Sequence, residues 1–365
     1  MAPCEARARA PRSPTPPCAA PTPPSPLTAT GRPVRWGVVS TGRIAHTVTS
    51  DLALLEDSVL HAVSSRDARR AAAFASEHGF ASSHGDDAER TGLAALLADP
   101  DVEAVYIATP HGQHFKAARQ ALAAGKHVLC EKSLTINAAE AIELVELART
   151  RGLFLMEAVW TRFLPAVHRA LELIDSGGLG DISWVRADLG FPAPYDRTWR
   201  LWDPAAGGGA LLDLAVYPLT WALGTLGFPH SVQAAGHLND DGVDTQESLT
   251  LGYGSGVQAQ LLCSLTGAGP REAVIAGSTG WLRTAGPLNN PSSFTVHPLE
   301  GEPRTEHFEP VGRNYVYELR EATRCIQQGL LESPTMSWSD SVDTMHLLDG
   351  VRKQLGISYP NDAAR

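Results

Sequence analysis

Residues 34–45, VRWGVVSTGRIA, decide how the chain folds. Val34 to Val39 form a short apolar run, a cluster of small residues comes next, and the amphipathic stretch RIAHTVTSDLALL begins at once. Strand, tight turn and helix in that order open a dinucleotide fold, where small residues let the backbone approach a pyrophosphate and let the helix pack close behind. Gly37, Ser40, Thr41 and Gly42 shape this turn, with Arg43 and Ile44 starting the helix, and Ser40 stands where glycine is more usual. A glycine-containing turn between a strand and a helix is common, so its meaning depends on the rest of the chain.

The unit is repeated downstream. VLHAVSS is succeeded by DARRAAAFASEHG, VEAVYIAT by HFKAARQALAAG, and KHVLCE by NAAEAIELVELARTRG. Apolar runs alternating with helical periodicity predict a parallel sheet with helices on both faces, whose ligands bind outside the carboxyl ends of the strands. The second strand ends in Ser64-Ser65-Arg66, where an enzyme using the unphosphorylated dinucleotide usually carries an acid for the ribose 2′-hydroxyl. Two serines and a guanidinium suit a 2′-phosphate instead, which favours NADP and leaves NAD possible. Asp67 comes one residue too late for the acidic role and reads as the cap of the next helix. A later strand ends in Thr109-Pro110-His111-Gly112-Gln113-His114, a loop over the same site. Without a Cys, Asp or Glu nearby, the two histidines read as cofactor-facing or helix-starting groups, and no metal is expected.

At 365 residues the chain exceeds the roughly 250–300 at which one core stops growing, so two domains are expected. A content of 43% hydrophobic and 19% charged residues, with no long uninterrupted apolar run, excludes a membrane span. Net charge −10 with scattered Lys and Arg argues against nucleic acid and for a small-molecule partner. The five cysteines are widely spaced, which fits a reducing cytoplasm rather than a disulfide framework. Residues 1–33, almost wholly Ala, Pro, Arg, Ser and Thr, read as a disordered tail or an over-extended start, since they offer little apolar surface to bury. The domains expected are therefore 34–157 for the dinucleotide and 158–365 for substrate and oligomerisation.

Beyond Glu157 the pattern changes. A helix over RFLPAVHRALELIDSG and a strand over ISWVRADLGF lead to a loop, a second helix and several β-rich runs. SVQAAGHL, TQESLTLGYG, VQAQLLCSL and EAVIAGSTG read as neighbouring antiparallel strands, an open sheet able to pair subunits into a homodimer or higher oligomer. YVYELREATRCIQQGLLE and WSDSVDTMHLLDGVRKQLG read as closing amphipathic helices. The second helix carries GGGALLDLAVYP, residues 207–218, placing Asp213 and Tyr217 four apart on one face. Both residues also admit structural roles, an internal hydrogen bond for the acid and core filling for the ring. In VLCEKSLT, residues 128–135, Glu131 and Lys132 emerge at the carboxyl end of a buried strand.

Taken together, GVVSTGRIA, SSRD, IATPHGQH, CEKSLT, GLFLMEAVWTRFLP and GGGALLDLAVYP resemble, in order, the Gfo/Idh/MocA oxidoreductases. These are the glucose-fructose oxidoreductases, inositol dehydrogenases and rhizopine-catabolism proteins, and the resemblance spans about residues 34–358. Within that family the chain looks most like the branch of dimeric dihydrodiol dehydrogenases and NADP-dependent D-xylose dehydrogenases. The family's usual Glu-Lys-Pro is Glu131-Lys132-Ser133 here, which removes a rigid proline bond beside the lysine.

The resemblance implies hydride exchange between nicotinamide and the carbinol carbon of a pyranose sugar or cyclic trans-diol. Tyr217 is then the acid/base, with Lys132 close enough to favour its phenolate, Asp213 beside it, and Glu131 orienting the lysine. Trp160, Arg162, Phe163 and Arg200, with Arg197 and Trp199, are the expected substrate lining, aromatic faces and arginines suiting hydroxylated rings. Two rivals stay open: a glycosidase that oxidises and re-reduces on a held cofactor, and a non-catalytic dinucleotide-binding redox sensor, which would need neither Lys132 nor Tyr217.

Overall fold

The computed structural model describes residues 25–363. Its first layer is a six-stranded parallel sheet of β1 (Val34–Val39), β2 (Ser58–Ser64), β3 (Ser82–His84), β4 (Ala104–Ile107), β5 (His127–Glu131) and β6 (Leu155–Ala158). The order is β3-β2-β1-β4-β5-β6. Helices α1 (Arg43–Leu52), α2 (Ala68–His78), α3 (Gly92–Ala98), α4 (His111–Ala123) and α5 (Ala138–Arg151) make the crossovers. β4 and β6 are buried along their whole length, because helices cover both faces of the sheet. Strand order reverses between β1 and β4, so ligands meet the crevice at their carboxyl ends. The turn after β1, Thr109 after β4 and Lys132 after β5 all open onto that edge. Asp67 caps α2 as its sequence position suggested, accepting from the backbone N–H groups of Arg69 and Arg70.

The second layer begins with α6 (Pro165–Asp175) and β7 (Ile182–Gly190), then α7 (Ala210–Leu214) and α8 (Val216–Leu226). Strands β8 (Ser231–Leu238), β9 (Asp244–Gly252), β10 (Gln258–Ser264), β11 (Ala273–Gly277), β12 (Gly280–Thr284), β13 (Ser293–Pro298) and β14 (Arg304–His307) complete it. The eight-stranded sheet runs β14-β13-β12-β11-β7-β10-β9-β8. One expectation changes here: β10 and β11 are not neighbours, because β7 inserts between them, parallel to β10 and antiparallel to β11. The other pairs are antiparallel. Val185, Ala187, Leu249, Leu251, Ala259 and Leu261 point to the buried face, while Trp184, Gln258 and Leu262 stand on the exposed one.

The stretch read as one second helix is also broken, since the segment ending at Leu214 meets α8 at 42°. No single described helix is long and apolar enough to cross a membrane. The final helices, α9 (Val316–Gln327) and α10 (Trp338–Leu355), bridge the two layers: Gln354 of α10 accepts from Ala234 N and donates to Val232 O in β8. Trp338 Nε1 donates to Leu155 O in β6, Arg352 Nη1 donates to Ile136 O, and the Ala138 N–H at the start of α5 donates to Asp349. Residues 316–355, assigned by expectation to the second domain, thus also pack against the first layer.

Residues 25–33 correct the expectation of an unpacked tail; residues 1–24 lie outside the described chain. Arg320 donates to Pro26 O, Leu27 O and Thr30 Oγ1 and pairs with Asp57 at 2.7 Å. Thr30 N donates to Asp57 Oδ2 at 2.7 Å, and Gln327 Nε2 donates to Arg32 O. Burial alone would push Asp57 upward, but Arg320, Gln327 and Thr30 hold its carboxyl at about 2. Composition missed this segment because, Leu27 apart, it docks mainly through backbone groups and polar side chains whose partners lie elsewhere in the chain. A chain starting at Val34 is expected to melt a few degrees below one starting at residue 25, since unmet buried hydrogen bonds cost about 1–3 kcal/mol and each kcal/mol is worth roughly 2–4 °C. Equal melting temperatures would make the segment a passive tail after all.

Candidate active site

Lys132 leaves the end of β5 and turns its ammonium toward α7. Nζ donates to Asp213 O at 2.6 Å and lies 3.3 Å from Asp213 Oδ1, with both side chains about nine-tenths buried. Arg200 Nη1 reaches the same carboxylate oxygen at 3.0 Å, and His111 Nε2 stands 4.0 Å away. A buried anion facing three nitrogen groups stays ionised. Burial pushes Asp213 up, but Lys132 and Arg200 more than offset it and hold its carboxyl well below the usual range. Lys132 is the mirror case: burial favours the neutral amine, and Asp213, Tyr217 and Glu131 raise its pKa above the ordinary value regardless. The ammonium is permanent at neutral pH.

Its Nζ sits 4.9 Å from the centroid of the Tyr217 ring. Here the expected chemistry needs a correction, because the phenol is not pushed toward phenolate. Burial raises the Tyr217 pKa by more than Lys132 lowers it, so the group is a neutral O–H near pH 7. Tyr217 is thus better prepared to give a proton than to take one. Trp160 Nε1 donates to its oxygen at 3.4 Å.

Glu131, expected to orient the lysine, meets it through the backbone rather than through the ammonium. Its carboxyl accepts from Tyr106 Oη at 2.6 Å and from the Lys132 backbone N–H at 3.3 Å, so it fixes the chain at the strand end. The Lys132–Ser133 peptide is cis. Ser133 Oγ donates to Leu212 O at 3.1 Å, and Ser133 O faces His114 Nδ1 at 2.8 Å. These contacts pose the lysine without the missing proline. His114 Nε2 also faces a carbonyl, Thr109 O at 2.7 Å, and burial lowers its pKa to about 4, so the neutral ring donates to only one of the two. Burial and the nearby Lys132 lower His111 to about 3. Its Nδ1 donates to Gly207 O at 2.9 Å, leaving Nε2 without a proton.

On the β1 side, Ser40 has φ +103°, the backbone region glycine favours, so the strand-end turn keeps its shape with a serine in place. Ser40 Oγ accepts from Gly42 N at 3.2 Å, and Thr41 Oγ1 lies 3.4 Å from Ser65 Oγ. No side chain caps α1, whose first N–H groups stay open to a phosphate. The Thr109 hydroxyl is buried without a partner at the same edge. Arg66 is exposed, and its guanidinium makes no hydrogen bond or ion pair among the described residues. An open helix start, an orphaned hydroxyl and an uncommitted arginine fit a dinucleotide.

Residues 34–159 match the oxidoreductase family with an NAD-binding Rossmann fold, and residues 167–283 match the GFO/IDH/MocA C-terminal domain. The chain belongs to the GFO/IDH/MocA oxidoreductase family. Bovine trans-1,2-dihydrobenzene-1,2-diol dehydrogenase is 37% identical over 90% of this chain and 99% of its own, and the human protein of that name is 36% identical with the same coverage. Among solved structures, a 3-ketoreductase from Actinomadura kijaniata in complex with NADP and TDP-benzene is 28% identical with a TM-score of 0.78, covering 88% of this chain and 98% of that one. Levoglucosan dehydrogenase, in complex with NADH and levoglucosan, shares the fold at 20% identity with a TM-score of 0.80, covering 89% and 98%. The chain is thus an NAD(P)-dependent dehydrogenase acting on CH–OH groups.

As a GFO/IDH/MocA protein it brings together only part of the expected substrate lining. Trp160 touches Tyr217, Arg200 touches Asp213, and Phe163 is buried in the segment beside Trp160. Arg162 is committed elsewhere: its guanidinium pairs with Asp340 at 3.3 Å, in the capping box of α10, and contacts Met336 Sδ. Arg197 pairs with Asp241 at 2.8 Å on the surface, and Trp199 packs half-buried against the core. Sequence reasoning missed Tyr106 and Tyr315 beside the site and read His111 only as a cofactor-facing or helix-starting group. Tyr106 hides in an apolar strand, and Tyr315 lies far along the chain. His111 was visible in the Thr109–His114 loop but carried no sign of its Asp213 partner.

Proposed function

We propose that the chain is an NADP-dependent oxidoreductase of a cyclic trans-diol or pyranose sugar. The observation that carries this reading is the grouping of the Lys132 ammonium, the Asp213 carboxylate and the Tyr217 phenol at the strand ends where the β1 turn also opens. When bound, the dinucleotide supplies the hydride acceptor or donor. Lys132 holds a fixed positive charge beside the reacting oxygen, Asp213 keeps that charge in place, and Tyr217 Oη hands a proton to the oxygen or receives one from it. Arg200, tied to Asp213 from the loop side, and the Trp160 ring suit a hydroxylated carbon ring. The names of the relatives support the same choice: a cyclic diol in the curated ones, a 3-ketoreductase with NADP and TDP-benzene in one solved structure.

The test is a panel of cyclic diols, aldoses and aryl glycosides assayed with each dinucleotide by the absorbance of the reduced nicotinamide. Reduced cofactor should accumulate with diols or aldoses. Release of aglycone without that accumulation would indicate a glycosidase, and turnover of nothing while cofactor binds would indicate a sensor. The exposed face of the eight-stranded sheet, with Trp184 and Leu262, is where we place a second copy of the chain. A monomer by sedimentation would remove that part of the proposal.

A further inference from the structure

We propose that Trp160 and Tyr315 are positioning residues for Tyr217, and that Asp51, on the helix behind the cofactor turn, holds them in place. The inference rests on Tyr217 being the proton carrier. A phenol has one O–H to give and an oxygen that accepts. Trp160 Nε1 fills the accepting side at 3.4 Å, which leaves the O–H for a substrate oxygen. The indole is itself clamped, since Tyr315 stacks on it with ring centroids 4.2 Å apart and planes 14° from parallel.

Tyr315 is placed in turn by its backbone. Its N–H donates to Asp51 Oδ2 at 2.9 Å, and the Arg313 N–H donates to both carboxylate oxygens at 2.9 and 3.0 Å. Asp51 is fully buried within α1, the helix that follows its N-cap Gly42. The loop is moulded onto it: Gly312 has φ +57°, and a Cβ there would come within 2.4 Å of Asp51 Oδ1. A polar residue inside a helix of the cofactor layer thus caps the start of α9, which orients one aromatic ring, then a second, then the phenol. The cofactor helix and the proton carrier are connected by contacts at every step.

The ionisable groups around Tyr217 are Lys132 and Glu131 from the end of β5, Asp213 from α7, and Tyr315 ahead of α9. Trp160 adds an uncharged donor to this field, and an N–H given to the oxygen stabilises the phenolate. Removing it must therefore move proton uptake to higher pH.

Trp160→Phe keeps a ring for Tyr315 to stack on and deletes the N–H. It is expected to lower kcat at neutral pH by about 3- to 10-fold and to displace the ascending limb of the kcat–pH profile for oxidation upward by about 0.5 units. Tyr315→Phe, which keeps the stacked ring, should lose less turnover than Tyr315→Leu. Tyr315→Leu should lower kcat several-fold with KM and the NADP dissociation constant unchanged, and Asp51→Asn should resemble it. A Trp160→Phe profile superimposed on that of the wild type, or a loss confined to KM, would overturn the proposal and leave Trp160 as a wall of the substrate pocket. Retained turnover in Tyr217→Phe is a different result: it would sink the reading underneath, not the positioning chain alone.

Discussion

Tyr217→Phe and Lys132→Met are each expected to cut turnover by about 10²-fold or more while leaving dinucleotide binding within about twofold. The first change deletes a single oxygen and its proton, in a ring whose remaining contacts stay. The second deletes a cation that is buried, raised in pKa and held by Asp213. Arg200 still faces Asp213 in that variant, so the carboxylate is not left alone and the fold should survive. The direction of reaction sharpens the expectation. Because burial outweighs Lys132 and keeps Tyr217 protonated, carbonyl reduction should run well at neutral pH. Alcohol oxidation needs the phenolate, whose fraction grows with pH up to the raised pKa, so its rate should climb toward alkaline pH. Stopped-flow single turnovers in both directions would check this; near-normal rates in both variants would remove the pair from the chemistry.

Arg66→Ala is expected to weaken NADP about 10- to 100-fold and leave NAD almost untouched. A charge-assisted hydrogen bond to a phosphate is worth roughly 1.5–3 kcal/mol, and NAD has no 2′-phosphate to lose. The structure supports the choice of residue: Arg66 lies just beyond β2, is exposed, and has no competing partner among the described residues. Ser65 stands beside it with its hydroxyl near Thr41. Fluorescence titration with both dinucleotides decides the matter. Equal losses would mean that Arg66 only supports its loop, and the selectivity would have to be sought among other basic groups such as Arg43.

Much of this was legible in the chain because its information was local. The alternation of apolar runs and helical periodicity located the first sheet, and the spacing of Asp213 and Tyr217 brought both to Lys132 even though α7 and α8 are bent apart. The features that escaped depended on distance or environment. The insertion of β7 between β10 and β11 is a pairing choice that no single strand encodes. The lysine near Tyr217 was readable, whereas the burial that outweighs it was not. Arg162 looked like a substrate ligand beside Trp160, but its acid lies far along the chain on α10. Asp51 carries no local signal in the sequence, since the backbone groups it holds come more than 260 positions later.

The packing of α9 and α10 against the first layer carries a consequence for how the protein is made. On the ribosome, β1 through β6 emerge well before residues 316–355, yet Leu155 O, Ile136 O and the start of α5 find their partners only in that last stretch. Arg320, which secures residues 25–33, arrives equally late. The first layer therefore leaves the exit tunnel with one side unfinished and open to chaperones. Its completion awaits the end of translation, so chains stalled late in synthesis should present that side to proteases and finished ones should not.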